Sequence, residues 1–240
     1  MYILGNGPSR KNIDITKLDD KIYACNAAYR DFTPDLLFAI DIRMQVEVVK
    51  SGYYIDNPVA VGEWNSLPIE HWDMMKMSMT DVFETRQPDD THFTIQGNNR
   101  DGTDFLGFKE PNNIITYDHP EGRNLLCGMA ALCYAMEQKE EKVYLIGFDA
   151  LQKGEVENVY QGTDNYPDKY TQENGVFYSQ RSQFLALLQR YPDCEVYFQN
   201  SLYDVEKVVY NKLNYYENCE EWVLGEGFIP PVPVQVNKMR

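Results

Sequence analysis

The sequence predicts an α/β fold: a mostly parallel sheet with helices on both faces and an irregular insertion around 63–118. Three observations point there. Short β-branched runs alternate with helix-period runs through most of the chain, which is the pattern of parallel strands joined by crossover helices. Several strand candidates end in a small or hydrogen-bonding residue, as strands facing a ligand edge do. The chain has 240 residues, enough for a large core without covalent staples.

The elements follow in order. "MYIL" (Met1 to Leu4), "KIYAC" (Lys21 to Cys25) and "DLLFAI" (Asp35 to Ile40) read as the first three strands. "IRMQVEVVKSG" reads as a helix closed by Gly52, and "NPVAVG" (Asn57 to Gly62) as a fourth strand. Over 63–118 the rhythm weakens. "LPIEHWDMMKMSM" has the spacing of a helix with a methionine-rich face, and the polar, glycine-rich stretch around "HFTIQ" reads as an excursion over the ligand edge. Order returns with a strand over Asn112 to Asp118. Leu125, Leu126, Met129, Leu132, Cys133 and Met136 then recur at three- and four-residue steps, predicting an amphipathic helix. "KVYLIGFDA" (Lys142 to Ala150) is the most strand-like segment of all. The tyrosine-rich stretch 151–174 lacks an apolar period and reads as a loop or lid. "VFYSQRSQFLALLQRYP" is a helix, "CEVYFQN" a strand and "LYDVEKVVYNKL" a last helix. Pro230, Pro231 and Pro233 keep the tail, 226–240, extended. Residues 1–225 are expected to form one domain.

Composition excludes some functions. The net charge is -15, from 37 acidic and 22 basic residues. No basic stripe breaks that background, so binding along a nucleic-acid backbone is not expected. No apolar stretch is long enough to span a membrane, and the first residues carry no signal-peptide pattern. Five cysteines without a CxxC pair fit reduced thiols of a cytoplasmic protein. Oligomerisation is left open.

Polar residues gather where the strands end. Gly5, Asn6, Gly7, Pro8 and Ser9 follow the first strand, Asn26 the second and Asp41 the third; Gly147 and Asp149 follow "KVYLI", and Asn200 and Ser201 follow "CEVYFQ". Glycines at such a turn permit close backbone approach and amides aimed at a phosphate, or equally a plain strand-to-helix turn. An asparagine offers a donor and an acceptor to a sugar or base. The run "GNGPSR" is neither a Walker loop nor GxGxxG.

"ILGNGPS", "CN" at Cys25-Asn26, "YLIGFD" at Tyr144 to Asp149 and "NSL" at Asn200 to Leu202 resemble, in order and spacing, the bacterial sialyltransferases of glycosyltransferase family 42. They also resemble the related motility accessory factors and archaeal hydroxymethylpterin diphosphokinases, whose third strand ends in an aspartate as "FAID" does here. The likeness covers roughly 1–50 and 120–205. It implies a Rossmann-like, nucleotide-binding domain and a metal-independent transferase that takes a CMP-sugar donor and a glycan acceptor. On that likeness Gly5, Asn6, Gly7, Pro8, Ser9, Asn26, Asp41, Asn124, Gly147, Phe148 and Asp149 would line the nucleotide. Tyr160, Tyr166 and Tyr170 would hold the leaving phosphate. The family's histidine base has no counterpart, because no histidine follows His119; Asp164, Asp168, Glu173, His92 or His119 would have to serve. No metal and no resident cofactor are implied. The diphosphokinase alternative would require Mg²⁺ on ATP, with Asp41 and Asp149 as candidate carboxylates; a protein that keeps the nucleotide site without chemistry is the third reading.

Overall fold

A computed structural model describes residues 1–62, 65–66, 82–86, 93–98, 104–109, 113–117, 125–153, 157–168, 174–199 and 210–212. The first three strands are β1 (Tyr2–Leu4), β2 (Ile22–Cys25) and β3 (Leu36–Ala39). Helix α1 (Ile42–Ser51) follows, closed by Gly52, whose φ of 72 suits glycine, and then α2 (Tyr53–Asp56) and β4 (Val59–Val61). After the insertion come β9 (Ile114–Thr116), α3 (Cys127–Glu137), β10 (Lys142–Ile146), α4 (Asp149–Lys153), α5 (Asn174–Arg190), β11 (Glu195–Gln199) and β12 (Tyr210–Lys212).

These strands form one sheet in the order β12-β11-β10-β1-β2-β3-β4-β9. Only β12 is antiparallel; the other seven strands all run the same way. The chain winds outward from β1 through β2, β3 and β4, then returns to place β10 on the other side of β1. That reversal makes the β1/β10 boundary a topological switch point, where open α/β sheets leave a crevice at their carboxyl ends.

Side chains alternate across the sheet as the pleat requires. Ile3, Phe38, Val143 and Leu145 face α3 and α5, whose Met129, Leu132, Phe184 and Leu187 complete one core. Leu4, Leu37, Val59 and Ile146 face the opposite way, against Met44, Val48 and Val49 of α1. Helices therefore cover both faces, and the architecture is Rossmann-like α/β.

Some expectations need correction. The segment 63–118 is not merely irregular: β5 (Asn65–Ser66), β6 (Val82–Arg86), β7 (Phe93–Asn98) and β8 (Asp104–Lys109) form a second sheet in the order β5-β8-β7-β6. Two antiparallel pairings and one short parallel one hold it together. Helix α3 is buried nearly all round and begins after Leu125 and Leu126, so it is a core helix instead of an amphipathic one. Within the expected last helix, Tyr210–Lys212 is a strand, because its backbone pairs with Tyr197 to Gln199 on the edge of the sheet. The loop 151–174 opens with the end of α4, and α5 starts at its end, at Asn174. The methionine-rich segment 67–79, the three histidines and the proline-rich tail lie outside the described residues. Among the described residues no helix is long and apolar enough to cross a membrane.

Candidate functional site

The expected rim residues after β1, β2, β3 and β10 meet at the carboxyl edge around the switch point, and the loops after β1 and β10 are locked together there. The Gly5 amide donates to the Ile146 carbonyl and the Gly7 amide to the Gly147 carbonyl, both at 2.8 Å. The Ser9 amide donates to Asp149 Oδ2 at 3.0 Å. A Cβ on Gly5 would stand 2.5 Å from the Gly147 oxygen, and one on Gly7 2.0 Å from Asp149 Oδ2. Both glycines are thus needed for one loop to lie on the other, and their amides bond within the protein, as in the plain-turn alternative of the sequence reading. Pro8 opens the one-turn 3-10 helix Pro8–Asn12, which suits its fixed φ. Gly147 takes a φ of 76, open to glycine. Phe148 is buried against α3, where a Cβ on Gly128 would meet its ring at 2.6 Å. Asn124, Asn200, Ser201, Tyr170 and Glu173 lie outside the described residues.

Asn6 spans from β1 to β2. Its Nδ2 donates to the Cys25 carbonyl at 3.0 Å, and its Oδ1 accepts from Arg10 Nη1 at 2.9 Å. Both ends of the carboxamide are therefore used inside the protein. Arg10, 5% exposed, continues from Asn6 to Asp31 Oδ2 at 2.8 Å and to the Tyr160 hydroxyl at 2.6 Å. Tyr160 in turn donates to Asp31 Oδ2 at 2.5 Å. Burial, then the hydrogen bond to Asp31, pushes its hydroxyl up to about 12. In this arrangement Tyr160 fastens the loop 157–168, and its hydroxyl is turned to the protein. Tyr166 packs against it, the rings tilted by 41° with centres 5.7 Å apart. Asp168 is exposed, and its backbone carbonyl accepts from Gln161 Nε2.

The same loop has a second fastening. Arg30 donates to Glu47 at 2.6 and 2.8 Å, to Thr163 Oγ1 at 2.8 Å and to the Asp164 carbonyl at 2.9 Å. Asn165 Nδ2 donates to Glu47 Oε2 at 2.6 Å. Burial raises the Glu47 pKa, but the bonds from Arg30, Tyr29 and Asn165 outweigh it and hold the carboxyl below its ordinary value. The Val159 amide donates to the Asn6 carbonyl at 2.8 Å, which sets the loop directly over the glycine turn.

Asn26 differs from its neighbours. It stands at the end of β2 with φ 51, in the left-handed region that non-glycine residues rarely occupy. Its Nδ2 donates to Asp41 Oδ2 at 3.0 Å, but its Oδ1 is buried and has no hydrogen-bond partner among the described residues. Asp41 is exposed at the end of β3 and leads into α1. Beside them the Cys127 thiol donates to the Phe38 carbonyl at 3.0 Å. Burial, then the neighbouring Cys25 thiol, pushes Cys127 well above the ordinary thiol range, so it stays protonated and unreactive.

The structure thus brings Gly5, Asn6, Gly7, Ser9, Asn26, Asp41, Gly147 and Asp149 to one edge, and Tyr160 above them. Two contributors escaped the sequence reading. Arg10 enters the sequence reading only as the last residue of "GNGPSR", and Asp31 lies 21 residues further on; no sequence rule joins them. No protein-family model, curated protein or solved structure matches the chain.

Proposed function

We propose that the carboxyl edge at the β1/β10 switch point binds a nucleotide, and that the protein is a metal-independent glycosyltransferase of the sialyltransferase-like type using a CMP-sugar donor. Asn26 carries the reading. A buried acceptor without a partner costs about 1–3 kcal/mol, and a left-handed non-glycine residue costs on the order of 1 kcal/mol more. A hydroxyl or amino group of a bound nucleotide would satisfy Oδ1 at the place where such folds hold ligands. The likeness of "GNGPS", "CN" and "GFD" to the sialyltransferases supplies the donor class. The acceptor is a glycan, and Asp168, exposed on the loop above the edge, is the candidate base. Free thiols at Cys25, Cys127, Cys133 and Cys194 support a cytoplasmic setting.

One observation favours the diphosphokinase reading. Asp41 presents an exposed carboxylate at the rim, bonded to Asn26 Nδ2, and a hard oxygen ligand of this kind suits Mg²⁺ on ATP, whereas a bare carboxylate repels a phosphate. Calorimetry with CMP, CDP, UDP, GDP and ATP, each with and without Mg²⁺, separates the readings. Metal-free CMP binding supports the transferase, after which an acceptor screen decides between catalysis and binding alone. ATP binding that requires Mg²⁺ replaces it with the kinase. Silence from all five nucleotides refutes the nucleotide site.

A further inference from the structure

We infer that Asn6 and Arg10 are positioning residues that hold Asn26 in its left-handed conformation and do not themselves touch the ligand. The path is continuous. Arg10 Nη1 donates to Asn6 Oδ1 at 2.9 Å, which fixes which way the carboxamide faces. Its Nδ2 is thereby directed at the Cys25 carbonyl, 3.0 Å away. That carbonyl belongs to the peptide joining Cys25 to Asn26, so its orientation limits the φ of Asn26, observed at 51. Asp41 completes the restraint from the other side by accepting from Asn26 Nδ2. Among the described residues Asn26 Oδ1 is left without a partner at the end of this chain of bonds.

The guanidinium is well placed to be rigid. Arg10 is 5% exposed, is paired with Asp31 and Tyr160, and bonds to the Gly5 carbonyl at 3.4 Å. Tyr160 belongs to the loop 157–168, so Arg10 joins the seating of that loop to the orientation of Asn26. A guanidinium presents several donors in a fixed plane, a geometry that a lysine does not reproduce. The inference rests on the nucleotide reading only for its second readout.

The experiment compares the parent with Asn6→Ala and Arg10→Lys. The first readout needs no ligand: backbone chemical shifts and the HN–Hα coupling of Asn26, which report positive φ. Both variants should move Asn26 out of the left-handed region while shifts of distant core residues such as Leu132 and Val143 persist. The second readout is CMP affinity, expected to fall about tenfold or more in Asn6→Ala. An Asn6→Ala/Asn26→Ala double variant should lose no more than Asn26→Ala alone, because residues that act through one another are not additive. Unchanged Asn26 shifts in both variants overturn the inference, as do additive affinity losses. Should the parent fail to bind CMP, the nucleotide reading falls while the Asn26 shifts still decide the positioning role.

Discussion

Replacing Asn26 with glycine should leave the protein as stable as before or slightly more stable, contrary to the usual effect of placing glycine in a folded chain. Removing the buried, partnerless Oδ1 relieves about 1–3 kcal/mol, and glycine relieves on the order of 1 kcal/mol of left-handed strain. Against this stand the lost bond to Asp41, about 1 kcal/mol, and the greater freedom of glycine in the unfolded chain, about 0.5–1 kcal/mol. The balance favours Asn26→Gly by roughly 1 kcal/mol, or about 2–4 °C in Tm for a chain of this size. Urea and thermal unfolding followed by circular dichroism would measure it. Asn26→Ala, which keeps the strain but lacks the added freedom of glycine in the unfolded chain, should lie below the glycine variant by about 0.5 kcal/mol at most. A loss of 1 kcal/mol or more in Asn26→Gly would refute the reasoning, because it would mean that the side chain is a net stabiliser of the fold and not a group held for a ligand.

Other perturbations follow from the same contacts. Gly7→Ala would drive a Cβ to 2.0 Å from Asp149 Oδ2 and 2.7 Å from the Gly147 oxygen, so it should destabilise by about 3 kcal/mol in urea unfolding. Tyr160→Phe removes a hydroxyl bonded to both Arg10 and Asp31 and should cost about 1–3 kcal/mol by the same measurement, with greater proteolytic sensitivity within 157–168. Because the Glu47 carboxyl is held below its unfolded value of 4.5, its contribution is complete above that pH and is lost as pH falls through the lower folded value. Acid titration by NMR should therefore shift Thr163 and Asn165 together below pH 4.5, and Glu47→Gln should abolish that transition.

Much of the sheet was legible in the sequence because buried parallel strands are short, β-branched and apolar, as "VAV" in β4 and "KVYLI" in β10 are. The end of α1 was legible because Gly52 must supply a positive φ there. The insertion was harder: β7 and β8 each carry an internal glycine, Gly97 and Gly107, which reads locally as a breaker but is held by cross-strand pairing. Tyr210–Lys212 took strand form for a similar reason, since an edge pairing to β11 outweighs helical spacing. At the site, the glycine turn announced a close approach without naming the partner. The approach is to Gly147 and Asp149, about 140 residues away in sequence, and no local pattern could reveal it. For the same reason Asn6 reads as a ligand group in sequence, whereas its bonds run to Arg10 and Cys25.

The most direct test of the account is an NMR titration of the isotope-labelled protein with CMP in a buffer containing a chelator. The account predicts saturable shifts centred on Asn26, including its side-chain amide, and on Asp41 and the turn from Gly5 to Ser9, with no metal required. No shift at saturating CMP, or shifts confined to residues away from the carboxyl edge of β1, β2 and β3, would contradict it.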